Sequence, residues 1–152
     1  MLRISKLTDY ATVVMAELAR DCGQCRSASQ IAEATRLELP TVAKVLKTLA
    51  RSGLIESVRG VNGGYCLPGS ANDISVAAII RAMEGPIALT ECALEPGLCS
   101  REDECHLRGN WQRIGETVEQ ALEALSLADL AAPASPGLKL VTRPARTELE
   151  SA

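Results

Sequence analysis

The most constraining stretch of the chain runs from Ser27 to Gly53, where two helical patterns follow one another with almost no connection between them. Ser27-Ala28-Ser29-Gln30 has the form of a capping box, in which the Ser and Gln side chains each satisfy a backbone donor left free at a helix start. It opens a short helix through Thr35, with Ala28, Ile31 and Ala32 turned inward. Pro40 then stands where a first helical residue is expected, because proline has no amide hydrogen to leave unpaired. Val42, Val45, Leu46 and Leu49 mark the inner face of a second helix to about Ser52, and Gly53 ends it. The opposite face carries Thr41, Lys44, Lys47, Thr48 and Arg51. Two short helices joined by a tight turn, the second basic on its outer face, make a helix-turn-helix pattern.

A β-hairpin follows directly. Leu54–Val58 and Tyr65–Leu67 read as strands around the turn Arg59-Gly60-Val61-Asn62-Gly63-Gly64, which converts the pattern into a winged helix. Upstream, Leu7, Tyr10, Ala11, Val14 and Leu18 give a helical stripe over about Lys6–Arg20. Downstream, Ser75 caps a helix with Val76, Ile79, Ile80 and Met83 inward, stopped by Gly85-Pro86. From Leu107 the residues Trp111, Ile114, Val118, Ala121, Leu122 and Leu125 recur at three- and four-residue steps, which predicts a long helix to about Leu130. So small a domain cannot cover that stripe, so a helix of a second subunit is expected against Trp111–Leu125.

Composition agrees with a helical protein. Of 152 residues 2% are aromatic and none is Phe, so the core must be built from Ala, Leu, Val and Ile, which helices accept more readily than sheets. The expected fold is therefore mainly α: a winged helix-turn-helix with a two-stranded wing and a long C-terminal dimerisation helix. We expect a DNA-binding region at 1–70, a cysteine loop and dimerisation helix at 71–130, and a disordered tail at 131–152, rich in Pro, Ala and charge.

A net charge of −3 argues at first against a nucleic-acid partner, but it is an average. Residues 1–70 hold nine Lys/Arg against six Asp/Glu (+3), and residues 71–152 hold seven against thirteen (−6). On the basic half, Thr41, Lys44, Lys47, Thr48 and Arg51 offer partners for base edges and phosphates of double-stranded DNA. Arg59 at the hairpin tip suits a minor groove. No apolar run approaches a membrane span, and no signal-peptide pattern opens the chain, so a cytoplasmic protein is expected.

Six cysteines in a cytoplasmic chain read as metal ligands, redox groups or small buried apolar residues rather than disulfides. Cys92-x6-Cys99-x5-Cys105 lies in a polar, loop-like segment and offers three thiolates to a soft metal or an iron–sulfur cluster. The fourth ligand must come from elsewhere. A structural zinc site of Cys92, Cys99, Cys105 and His106 is an alternative, although adjacent residues on a helix diverge by about 100°. Cys22 and Cys25 form a CxxC that reads as two loop thiols, and Cys66 as a small strand residue. An oxidoreductase built on Cys22 and Cys25 lacks a cleft and a base partner, so neither an enzyme nor a small-molecule substrate is expected.

Together these features resemble the IscR/NsrR-type family of bacterial winged-helix regulators that carry iron–sulfur clusters. The likeness rests on ISKLTDYA at the N-terminus, the wing from Gly53 to Tyr65, and the three cysteines before the Trp111 helix, and covers about residues 1–130. NWQRIGETVEQALEALSLADL is similar to the branch that regulates the SUF iron–sulfur assembly system. The resemblance implies a homodimer crossed through the long helix, a partly palindromic operator, and Cys92, Cys99 and Cys105 holding a [2Fe–2S] or [4Fe–4S] cluster. One branch places a His three residues after the last Cys, where this chain has Arg108, which is no normal ligand. In the nitric-oxide-sensing branch the Asp of the TDYA motif reaches the cluster across the dimer. Thr8-Asp9-Tyr10-Ala11 matches that motif, which implies Asp9 as the fourth ligand in trans, with His106 as runner-up.

Overall fold

The computed structural model describes residues 3–21, 23–61 and 63–133. Among these described residues, seven α-helices and one hairpin follow in the order α1 (Lys6–Arg20), α2 (Ala28–Thr35), α3 (Leu39–Arg51), β1 (Glu56–Val58), β2 (Gly64–Cys66), α4 (Val76–Glu84), α5 (Glu91–Leu94), α6 (Arg108–Glu123) and α7 (Leu127–Ala131). The fold is mainly helical with a two-stranded antiparallel sheet, as the patterns require.

Local chemistry sets the boundaries. Ser5, Ser27 and Ser75 each accept a backbone N–H at the start of α1, α2 and α4, and Ser27 with Gln30 completes the reciprocal box. Pro40 falls at the second residue of α3 rather than the first. Gly53 follows the helix with φ +78°, a backbone region that glycine enters without steric cost. The turn between α2 and α3 uses Arg36 in the left-handed region (φ 56°), its N–H bonded to the Ala32 and Glu33 carbonyls.

One apolar core joins the elements. It contains Ala11, Val14, Met15 and Leu18 of α1, Ile31 of α2, Val42, Val45, Leu46 and Leu49 of α3, and Ile55 before the wing. Ile74, Ile79 and Leu127 belong to the same cluster, so the packing runs without a break across residue 70. Thr8 is the buried polar residue of α1; its hydroxyl donates to Glu84 Oε1 at 2.5 Å, and Ser5 N donates to the same oxygen at 2.6 Å. These bonds tie the start of α1 to the end of α4 and hold the Glu84 carboxyl below its ordinary range.

The long helix differs from expectation. It ends at Glu123, and a new helix begins after Ser126. Ser126 and Asp129 form a second capping box, and the chain beside it pairs with the segment before α4: Val76 N donates to Leu125 O at 2.8 Å, and Leu127 N to Ile74 O at 2.7 Å. The break carries Leu127 into the core, where it is fully buried. A continuous helix would leave Leu127 outside. The tail expected to be disordered lies outside the described residues from position 134 onward.

Candidate nucleic-acid interface and cysteine segment

The amphipathic pattern of α3 determines which of its side chains remain available. Val42, Val45, Leu46 and Leu49 are fully buried, which turns Lys44, Lys47 and Arg51 to solvent and leaves Thr41 and Thr48 partly exposed on the same outward side. The Thr48 hydroxyl donates back to the Lys44 carbonyl at 3.2 Å. Arg59 is exposed at the start of the wing turn, and the turn tip at Val61 is fully exposed. A Cβ on Gly63 would overlap the Val58 carbonyl oxygen, so the tight hairpin requires glycine there. Each of the six residues read as DNA-facing thus lies on the outer surface of α3 or on the wing.

Beside the core packing of Ile55 and Leu67, the root of the wing is joined to the helix-turn-helix by two further links. Arg26 and Tyr65 exchange backbone hydrogen bonds at 2.9 and 2.8 Å, adding the loop before α2 to the edge of β2. Beside that bridge, Cys25 and Cys66 are joined by a disulfide. This corrects the reading of Cys25 as one of two loop thiols, and of Cys66 as a small strand residue; Cys22 itself lies outside the described residues. Antiparallel pairing around Arg26 and Tyr65 sets the two cysteines face to face with Cα atoms 4.4 Å apart. No sequence spacing reveals that pairing, because it spans 41 positions.

Cys92, Cys99 and Cys105 are all free. Cys92 is buried in α5 with its Sγ 3.3 Å from Thr90 Oγ1, Cys99 is partly exposed and Cys105 is exposed. Three thiols on one segment are the right donors for a soft metal or an iron–sulfur cluster. Among the described residues, however, no three Cys, His, Asp or Glu side chains stand together as a metal site, so neither Asp9 nor His106 completes one with them in the single chain. Asp9 and His106 are both exposed.

Arg108, three residues after the last cysteine, has a structural role instead of a ligand's. Its guanidinium pairs with Glu102 at 2.6 Å, and the other Glu102 oxygen accepts the Gly97 N–H at 2.6 Å. Glu102, with 9% of its side chain exposed, therefore braces the segment between Cys99 and Cys105. From the sequence, Glu102 is only one of several acidic residues in that neighbourhood.

The family model for Rrf2, described as an iron-dependent transcriptional regulator, matches residues 4–133. The chain belongs to the Rrf2 family. Among Rrf2-type relatives, the HTH-type transcriptional regulator CymR of Bacillus subtilis is 34% identical over 131 residues, 86% of this chain and 90% of the relative. The solved structure of CymR, the global cysteine regulator of B. subtilis, matches at 32% identity with a TM-score of 0.68, covering 86% of this chain and 97% of that one. The structure of T. potens IscR matches at 29% identity with a TM-score of 0.64 over 85% of each chain. This Rrf2 protein is thus a DNA-binding transcriptional regulator of winged-helix fold and not an enzyme.

Proposed function

We propose that this Rrf2 protein is a homodimeric, cytoplasmic regulator that reads iron–sulfur cluster status through Cys92, Cys99 and Cys105 and controls iron–sulfur assembly genes. The observation that carries the reading is three free cysteines on the one segment leading into α6. A bound cluster would supply a centre that oxidants, nitric oxide or iron shortage remove. Asp9, exposed on the first turn of α1, is the fourth donor in this reading, reaching across the dimer, and His106 is the runner-up.

The dimer is formed through Trp111–Leu125. Leu107, Trp111 and Ile114 support it, since they are 57, 40 and 46% exposed on one helix end and its first two turns. Operator binding is assigned to Thr41, Lys44, Lys47, Thr48 and Arg51 of α3 and to Arg59 of the wing, with two such faces meeting a two-fold site. Occupancy alters operator affinity only if it stabilises one dimer arrangement more than another. A ligand from α1 of one subunit and three from the segment of the other would supply that difference.

Anaerobic reconstitution of the full chain with iron and sulfide tests the proposal. A brown protein with visible absorption is expected, lost in Cys92→Ala, Cys99→Ala or Cys105→Ala while the helical dimer persists. A colourless protein overturns it and leaves either structural zinc or, in line with the relative named for cysteine regulation, a response to cysteine supply.

A further inference from the structure

The Cys25–Cys66 pair stands apart from the cysteine segment and is not used by the function proposed above. It lies at a junction of three elements. Cys25 precedes Arg26, whose guanidinium pairs with Glu17 at 2.6 Å and with Asp21 at the end of α1. Ser27, two residues on from Cys25, caps α2, the first helix of the helix-turn-helix. Cys66 ends β2 opposite Glu56 in the hairpin that carries Arg59. The approach is close enough that a Cβ on Gly64 would overlap the Arg26 carbonyl.

We propose that Cys25 and Cys66 are a reversible thiol–disulfide couple that responds to low-molecular-weight disulfides and fixes the wing to the helix-turn-helix when oxidised. In the reducing cytoplasm proposed above, on which this inference rests, disulfides that do form are mostly transient or redox-sensing rather than structural. The exchange balances: one cysteine thiolate attacks the small disulfide, releasing one small thiol and leaving a mixed disulfide. The second cysteine thiolate then displaces the other small thiol. Two S–H bonds of the protein are lost and two are gained by the reduced small molecule, with two electrons passing to it.

The consequence for DNA follows from position. In the reduced form the hairpin keeps Ile55 and Leu67 in the core, and its edge is held to the loop before α2 by the two Arg26–Tyr65 backbone bonds. Exchange of those bonds with water lets Arg59 move relative to α3, and that freedom is lost on binding. The covalent link removes it beforehand, so the oxidised form should bind DNA more tightly.

The full chain is equilibrated anaerobically in glutathione buffers from mostly reduced to mostly oxidised, alkylated, digested and mapped by mass spectrometry. A peptide cross-linked through Cys25 and Cys66 should appear as glutathione disulfide rises and disappear on reversal. Its absence at every ratio, or recovery of Cys25 bound to Cys22, overturns the couple. Affinity is measured in the same buffers with a fluorescent duplex selected by the full chain from a random pool. The oxidised wild type should bind about five-fold more tightly, an effect of preorganisation. Cys25→Ser should show the weaker affinity in both buffers, with unchanged helicity as the check that it folds. Equal or reversed affinities in the wild type, or a redox response that survives in Cys25→Ser, overturn the link to DNA.

Discussion

The winged-helix half and the segment from α5 through α6 are built on opposite terms. Helix α1 buries Thr8, Ala11, Val14, Met15 and Leu18, and α3 buries four large side chains, whereas α6, the longest helix, buries only Gly115. Helix α6 is tied to α4 at a polar edge, where Arg81 pairs with Glu119 at 2.6 Å and with Glu123. Its apolar residues Trp111 and Ile114 remain open to solvent. The first region therefore finds its packing within one chain, whereas the second leaves apolar side chains uncovered. In the function proposed above, stability rests on the first region, while assembly and sensing rest on the second.

The sharpest way to break that contrast is to shorten one apolar side chain in each region. Leu49→Ala opens a cavity in a fully buried site and should cost about 2–5 kcal/mol, enough to unfold a marginal domain. Ile114→Ala removes a side chain already 46% exposed and should cost the isolated chain well under about 1 kcal/mol. Its effect should appear instead in the monomer–dimer equilibrium. Urea unfolding at low concentration and sedimentation across a concentration series separate the two outcomes. If Ile114→Ala destabilised the monomer as much as Leu49→Ala, the division of labour would be wrong.

A smaller effect tests whether the outer face of the first region is free for DNA. Lys44→Ala and Arg59→Ala should leave unfolding and dimerisation unchanged, since both side chains are exposed and in no ion pair among the described residues. Each should weaken duplex binding by roughly ten-fold at moderate salt and lower the slope of log affinity against log salt by about one for each phosphate no longer neutralised. Fluorescence anisotropy at several salt concentrations measures both quantities. Unchanged affinity in both variants would move the DNA face elsewhere.

What can be read from the sequence follows the same division. The helix-turn-helix is legible because its signals are local: the Ser27–Gln30 box, Pro40, the four-residue apolar stripe and Gly53 all act within a turn or two. Helix α7 carries an equally local signal, the Ser126–Asp129 box, but the apolar repeat of α6 runs on through Leu122 and Leu125 and conceals it. Backbone pairing with Ile74 and Val76, distant in sequence, decides the break. The Cys25–Cys66 bond and the Glu102 brace depend on how the chain folds back on itself, which no spacing encodes. The thiols Cys92, Cys99 and Cys105 are legible as residue types, whereas no metal-binding arrangement of them is, since none is assembled among the described residues of the single chain.

The smallest expected effect lies on the seam between the two regions. Glu84 closes α4 just before the chain leaves for the cysteine segment, and it accepts hydrogen bonds from the Thr8 hydroxyl and the Ser5 amide. The Thr8 bond first, and the Ser5 bond second, hold its carboxyl below the ordinary value of 4.5. A carboxylate whose folded pKa is depressed contributes stability that is fully present above its unfolded pKa and is lost as pH falls through the folded value. Stability measured by urea unfolding should therefore fall on acidification below about pH 4.5, and Glu84→Gln should flatten that part of the profile. Because Glu84 is exposed, water competes for the carboxylate and the change should be far smaller than that of Leu49→Ala. An identical acid slope in Glu84→Gln would show that the seam is held by apolar packing of α1 on α4, with the carboxylate a bystander.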